Sequence, residues 1–202
     1  MSISIDQIRV GLDCGRICMA DLLVMRQAHL APFRFHPLGF IACTLLTEGP
    51  LKLRLHYWPV HGGVQQSPDC QIHDHIFEFQ SWVLSGAVEN IEYKPSATGN
   101  GYSVYETEYR DGQSILTKTG QLIRLVERDR AVFKEGESYS LAAGTFHETR
   151  RVGDGPAVTV LVANDVSSTA PLVLGSKAGS DRCSYRRTVV EEVVVERLFA
   201  EA

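Results

Sequence analysis

Nowhere in the chain do 18 apolar residues run together, which excludes a membrane-spanning helix. Positive charge is not in excess either: 20 Lys and Arg stand against 24 Asp and Glu, for a net charge of −4. That excludes the strongly basic footprint of a nucleic-acid binder. The densest basic cluster, Arg182 with Arg186 and Arg187, is soon followed by Glu191 and Glu192. The opening "MSISIDQIRV" mixes acids and amides with its apolar residues, so it lacks the charged start and apolar core of a secretory signal. A cytoplasmic location is the resulting expectation. Cysteine is sparse and odd in number, five in all, with no framework spacing. Free thiols in a reducing compartment follow. Cys14 and Cys18, four apart, are expected on one helix face as small buried apolar residues. Linkers, repeats and low-complexity tracts are also missing.

What is present is 44% hydrophobic residues in 202, enough for one sizeable core and one domain over 1–202. The first 35 residues read as helical. Ser4 and Gln7 fit a capping box, and Ile5, Ile8 and Leu12 share a face. Gly11 and Gly15 predict a break, a second helix follows near 17–29, and Pro32 and Pro37 end it.

From residue 40 to 165 the texture is of short strands. "FIACTLL" and "LKLRLHYW" flank the turn signal "TEGP", and "HGGVQQSPD" reads as loop. "FEFQSWVLSG", "AVENIEYK", "YSVYETEYR", "QLIRLVER", "ESYSL" and "AVTVLVAN" follow, with "SATGNG", "DGQS" and "GDGP" as turns between them. Many short strands with frequent glycine turns predict a sandwich or barrel. Residues 166–183 are expected to be a long loop. In the tail "SYRRTVVEEVVVERLFAEA" the valines favour a strand and the Glu and Leu content a helix.

Two stretches carry chemistry. "IHDHIFEFQSWVLSG" places His73 and His75 two apart. In a strand such residues share a face about 6.7 Å apart at Cα, so both imidazoles can converge on one ion. "GESYSLAAGTFHET" places a turn at Ala142–Gly144 just before His147, which is then delivered inward at the start of the next strand.

Together these stretches resemble the two motifs of the cupin superfamily. The first motif, His-x-His with a closing glycine, is matched at His73, His75 and Gly86. The second is matched at Gly136, Gly144 and His147, with Ala142 where proline is usual and Arg151 where asparagine is usual. The resemblance implies a mainly β fold: a cupin double-stranded β-helix barrel over 40–165, with N-terminal helices and a C-terminal segment over 166–202. It also implies a metal inside, on His73, His75 and His147. The family's glutamate ligand belongs three or four residues after His75, where Phe79 and Gln80 stand, with Glu78 one position early. A fourth ligand is therefore absent, supplied weakly by Gln80, or moved to Glu78, and a three-histidine site is the favoured reading.

Among cupins this pattern resembles the thiol dioxygenases, cysteine dioxygenase in particular, which share a Trp-bearing strand leading into Ile-His-Asp-His. Asp74 would then orient the backbone or a ligand rather than bind metal. The family's carboxylate-clamping arginine should fall near Ala42 or Cys43, and neither can serve. Its Ser-His-Tyr relay has no counterpart that can be placed. Arg54 and His56 are the substitute anion contacts.

The implied activity is a mononuclear non-heme Fe(II) dioxygenase acting on a small chelating anion: a thiolate, carboxylate or enolate. Phe77, Phe79, Trp82 and Phe146 are expected to line the pocket. Two alternatives stand beside it. One is a non-redox isomerase or hydrolase using Zn, Ni or Mn, since affinity order does not single out iron. The other is a barrel that only binds small ligands. The expected partners are a small-molecule substrate and dioxygen, with a homodimer through strand edges. Cys70 is not expected to ligate, and Ser85 lacks the frame of a nucleophile elbow.

Overall fold

A computed structural model describes residues 3–61 and 70–200. The loop read at "HGGVQQSPD" lies almost wholly outside them. The capping box forms as expected: Ser4 Oγ accepts from the Gln7 amide at 3.3 Å and Gln7 Oε1 from the Ser4 amide at 2.9 Å. Helix α1 (Ile5–Asp13) follows and buries Ile5, Ile8 and Leu12. The chain breaks at Gly15, with φ +66°, before α2 (Met19–Ala28). Cys14 and Cys18 are corrected here. They cap the end of α1 and the start of α2, on different helices, and both are exposed.

The strands are β1 (Arg34–Phe35), β2 (Ile41–Glu48), β3 (Leu51–Trp58), β4 (Phe77–Ser85), β5 (Ala87–Arg110), β6 (Gln113–Lys134), β7 (Ser138–Leu141), β8 (Phe146–Arg151), β9 (Ala157–Asp165), β10 (Leu172–Gly175) and β11 (Arg182–Arg186). One antiparallel sheet runs β1-β2-β3-β9-β4-β7. The other contains β10-β5-β6-β11, with β8 also on β5. His73 bridges His147 of β8. The inner strands are thus ordered β3-β9-β4-β7 in one sheet and 73-β8-β5-β6 in the other. That is the double Greek key of a jelly roll, the architecture of cupin barrels. The mainly β barrel with N-terminal helices is what the motifs implied.

Two expectations fail for physical reasons, and one open alternative is settled. "SATGNG" does not end a strand, because β5 continues through it as a wide bulge. Both Pro95 and Asn100 pair with Leu125, so the residues between them leave the ladder. Gly99 permits this: a Cβ there would lie 1.8 Å from the Leu125 carbonyl oxygen. Residues 166–183 are not one loop. They contain β10, on the edge of β5, and the start of β11, on the edge of β6. Both are edge strands too short for alternation to mark them. The tail resolves in favour of helix, α3 (Glu192–Ala200).

Alternation sorts each central strand into two faces. Leu53, Leu55 and Tyr57 of β3, Trp82 of β4, and Val158, Val160 and Val162 of β9 face outward onto the helices. There they form a core with Ile5, Ile8, Leu22, Phe33 and Val195. A fully buried Leu or Ile side chain contributes about 1.5–3 kcal/mol, so this layer holds both chain ends on the barrel. The Arg26–Glu192 ion pair joins α2 to α3, with the Arg26 guanidinium also over the Phe33 ring. The opposite faces of β3, β4 and β9 line a cavity.

Candidate metal centre

The cavity has a volume of about 480 Å³. Its wall takes Lys52, Arg54, His56 and Trp58 from β3, Phe77, Phe79 and Ser81 from β4, and Thr159 and Leu161 from β9. Segments nearer the chain ends add His36 and Arg187. His73, His75 and His147 meet in it, each offering a ligand nitrogen within 4.8 Å of the others.

Backbone pairing brings the two motifs together. The His73 amide donates to the His147 carbonyl at 3.0 Å, and the His147 amide returns the bond at 2.9 Å. The Gly144 amide donates to the His75 carbonyl at 2.9 Å. Gly144 has φ +75°, a conformation that glycine adopts without steric cost. Asp74 orients the backbone as expected: its Oδ1 accepts from the Leu172 amide, and its own amide donates to the Leu172 carbonyl. It thereby fixes β10 beside the histidines.

The ring orientations are set by outer contacts. His73 Nδ1 lies 2.8 Å from the Gln71 carbonyl oxygen. A carbonyl only accepts, so Nδ1 carries the proton and the Nε2 lone pair is free. His147 Nδ1 lies 2.9 Å from Asn90 Oδ1, which also accepts from Thr149 Oγ1 at 3.0 Å. His147 Nε2 is buried with no hydrogen-bond partner among the described residues. An orphaned buried nitrogen is costly, and one aimed at two other imidazoles suits a cation. His75 stacks on Phe77 with centroids 4.3 Å apart. Burial lowers the proton affinity of all three rings. The neighbouring histidines lower it further for His75 and His147. Neutral imidazole is the form that ligates.

Neither candidate for a fourth ligand reaches the cluster. Glu78 is exposed and accepts from Asn164 Nδ2 at 3.1 Å. Gln80 donates to Asp13 Oδ1 of α1, as does the Trp82 indole. Strand parity is the reason. Within β4, Phe77, Phe79 and Ser81 share the inward side, while 78, 80 and 82 face out. Trp82 is therefore corrected from pocket lining to the helix-facing core, and Phe146 packs against Ile72, Val104 and Leu125 instead. Phe77 and Phe79 do line the cavity. Cys70 is buried outside the cluster.

Arg54 faces the cavity, over the Phe77 ring at 5.1 Å. Burial makes it hold its proton less tightly, with Arg187 adding to the effect. His56, also in the wall, is pushed down to about 3 by burial and then by Arg54 and Arg187. His36, Asn90, Thr149, Tyr139 and Arg187 are site residues that the motifs do not reveal. For Asn90 a signal existed, since it sits mid-strand at a buried position of "AVENIEYK".

Strand order and site together define a jelly-roll barrel of the cupin type with three convergent histidines. No protein-family model and no curated protein matches the chain. Among solved structures it is similar to hydroxypropylphosphonic acid epoxidase from S. wedmorenis, with 10% identity and a TM-score of 0.41, over 66% of this chain and 55% of that one. It is similar also to DMSP lyase DddQ from Ruegeria pomeroyi DSS-3, with 16% identity and a TM-score of 0.40, over 71% and 60%. A third similar structure is Rhodobacter sphaeroides SigE in complex with the anti-sigma ChrR, with 16% identity and a TM-score of 0.37, over 82% and 70%. The chain thus spans less than two thirds of the first two.

No helix among the described residues is long and apolar enough to cross a membrane.

Proposed function

We propose that the protein is a mononuclear iron(II) dioxygenase whose metal is held by His73, His75 and His147 and whose substrate is a small chelating anion. The observation that carries this reading is the orphaned, buried His147 Nε2, converging with two other neutral imidazoles in a cavity. No carboxylate joins the three among the described residues, so a divalent ion there keeps its full charge and attracts an anionic ligand. Iron(II), when bound, supplies a Lewis-acid site and dioxygen activation. For a thiolate substrate, both oxygen atoms end on sulfur as a sulfinate, so no further reductant is required.

The chain's own residues do the rest. Gln71 and Asn90 hold two imidazoles in the ligating tautomer. Phe77 and Phe79 exclude water from one side, and Arg54 supplies positive charge to the anion. Replacing Asn90 by leucine should weaken cobalt(II) affinity about 10–100-fold, the usual effect of losing an outer hydrogen bond to a ligand. Equilibrium dialysis reads this directly.

The deciding experiment is anaerobic loading with Fe(II), then oxygen uptake with a panel of small thiols, hydroxy acids and dicarbonyls. Uptake with the iron form and none with the zinc form is expected. A zinc or nickel form that turns over a panel compound, beside an iron form that consumes no oxygen, would replace the dioxygenase with a non-redox enzyme. A protein that retains no metal would leave only a ligand-binding barrel.

A further inference from the structure

A second concavity, of about 610 Å³, opens on the other side of the strands that carry the histidines. Ile72 and Glu148 line it, while their neighbours His73 and His147 point the other way, into the metal cavity. Its frame is a closed circuit of backbone pairing. The first half of β5 pairs with β8, where Tyr93 stands opposite Phe146. His73 bridges β8 at His147 and β10 at Val173. Strand β10 then returns to the second half of β5, with Gly175 opposite Ser103. The bulge between Pro95 and Asn100 separates the two halves of β5 and bends the strand. Pairing on every side keeps the lining in place.

Ile72 and Leu174 give the pocket an apolar floor, and Tyr93 and Tyr102 give it aromatic walls. Two charges of opposite sign stand in the lining, Glu148 and Lys177. Neither forms an ion pair among the described residues. Glu148 is half-buried, and its Oε1 accepts from the Tyr93 hydroxyl at 3.0 Å. Burial, and then the Glu148 charge, push the Tyr93 phenol up, so it stays a donor and orients the carboxylate. A half-buried carboxylate without a counter-ion is costly. Lys177 reaches across Gly101, where a Cβ would lie 2.6 Å from its ammonium nitrogen. Only the missing side chain at 101 leaves the lysine this path. In the ladder Tyr93 stands opposite Glu127 and Gly101 opposite Arg124, three residues or about 10 Å apart along β6. The two charges therefore sit toward opposite ends of the pocket.

From this lining we infer that the pocket binds a small zwitterion, with its ammonium group on Glu148 beside the tyrosine rings and its carboxylate on Lys177. A carboxylate and an aromatic face both attract an ammonium group, and the apolar floor suits a short methylene chain between the two heads. This site goes beyond the metal reading and does not rest on it.

Calorimetric titration of chelator-treated protein at fixed salt tests it without any metal. Glycine, 4-aminobutanoate and 6-aminohexanoate are each compared with two analogues. The carboxamide loses the negative charge, and the N-acetyl derivative loses the positive one. The best-fitting amino acid should bind at least about 10-fold tighter than either analogue, the usual effect of one charge-assisted hydrogen bond. Glu148→Gln should remove the preference over the N-acetyl compound, and Lys177→Met the preference over the carboxamide, with thermal melts unchanged. Gly101→Ala should act like Lys177→Met, because the added methyl group meets the flexible lysine stem rather than backbone. If no panel compound binds, or if either preference survives in its variant, the inference falls. A carboxamide that binds as tightly as its acid would make the pocket a site for a simple ammonium ion, which also overturns it. Metal retention is measured on separate samples, so a failed metal centre leaves these ratios as they are.

Discussion

His147→Ala should abolish stoichiometric iron binding and, with it, oxygen uptake, while leaving the fold intact. The imidazole is one of three ligands, and its Nε2 makes no bond to the protein. Structural zinc sites bind with about 10–16 kcal/mol. Losing a quarter to a third of such an energy costs roughly 3 kcal/mol or more, which is about 10²-fold or more in affinity. Folding should suffer modestly: alanine removes the unpartnered Nε2 but also the Nδ1 bond to Asn90, a net loss of about 1 kcal/mol. Asn90 Oδ1 keeps its bond from Thr149 Oγ1, and the backbone pair between residues 73 and 147 does not depend on the side chain. Metal analysis, oxygen uptake and a thermal melt of the metal-free form measure the three quantities. Retention of both iron and uptake would remove the site assignment. A collapsed fold would mean that His147 is structural.

The histidine site was legible because its signal is local. Two spacings and a glycine turn place three rings, although His73 and His75 precede β4 and are tied to β8 and its turn by an isolated bridge and single backbone bonds. The strand period rules out a fourth ligand from the polar residues of β4. Within β4, Phe77, Phe79 and Ser81 face the cavity and positions 78 and 80 face out, so neither Glu78 nor Gln80 joins the cluster. Matching a motif by spacing alone hid this, and counting parity along "FEFQSW" exposes it. Trp82 follows from the same count.

What stayed hidden has non-local causes. Arg187 reaches the cavity because the tail bonds to residues 33, 35 and 112, and no pattern within the tail encodes that path. Strand β10 is short and lies at the edge of a long strand, where one register of hydrogen bonds suffices and little alternation is needed. The bulge in β5 read as a turn because glycine and asparagine serve both purposes. Only the approach of Leu125 distinguishes them.

Metal-free protein should lose stability steeply as the pH falls below about 6.5. Five histidines line the cavity: His36, His56, His73, His75 and His147. Burial is the first cause that lowers the proton affinity of every one of them. Arg187, then His56 and His73, add to it for His36, and Arg54 with Arg187 for His56. An unfolded chain returns each ring to about 6.5. Below that value the unfolded state takes up protons that the folded state refuses, so the stability is fully present above 6.5. It is lost as the pH falls toward the folded values, about 3 for His56. Each such ring contributes up to about 1.4 kcal/mol per pH unit in that window. His56 and His147 are buried outright and give roughly 3 kcal/mol per unit between them. The three rings that open onto the cavity keep some water and give less. Urea midpoints of chelator-treated protein from pH 8 to 5.5 should therefore fall throughout the lower half of the range. His56→Gln should flatten the slope by about one proton. Bound metal should steepen the fall, because three of the five rings would then have to shed an ion as well as accept a proton. A stability that stays level from pH 8 to 5.5 would mean that the rings are solvated and charged, which is incompatible with a neutral three-imidazole centre.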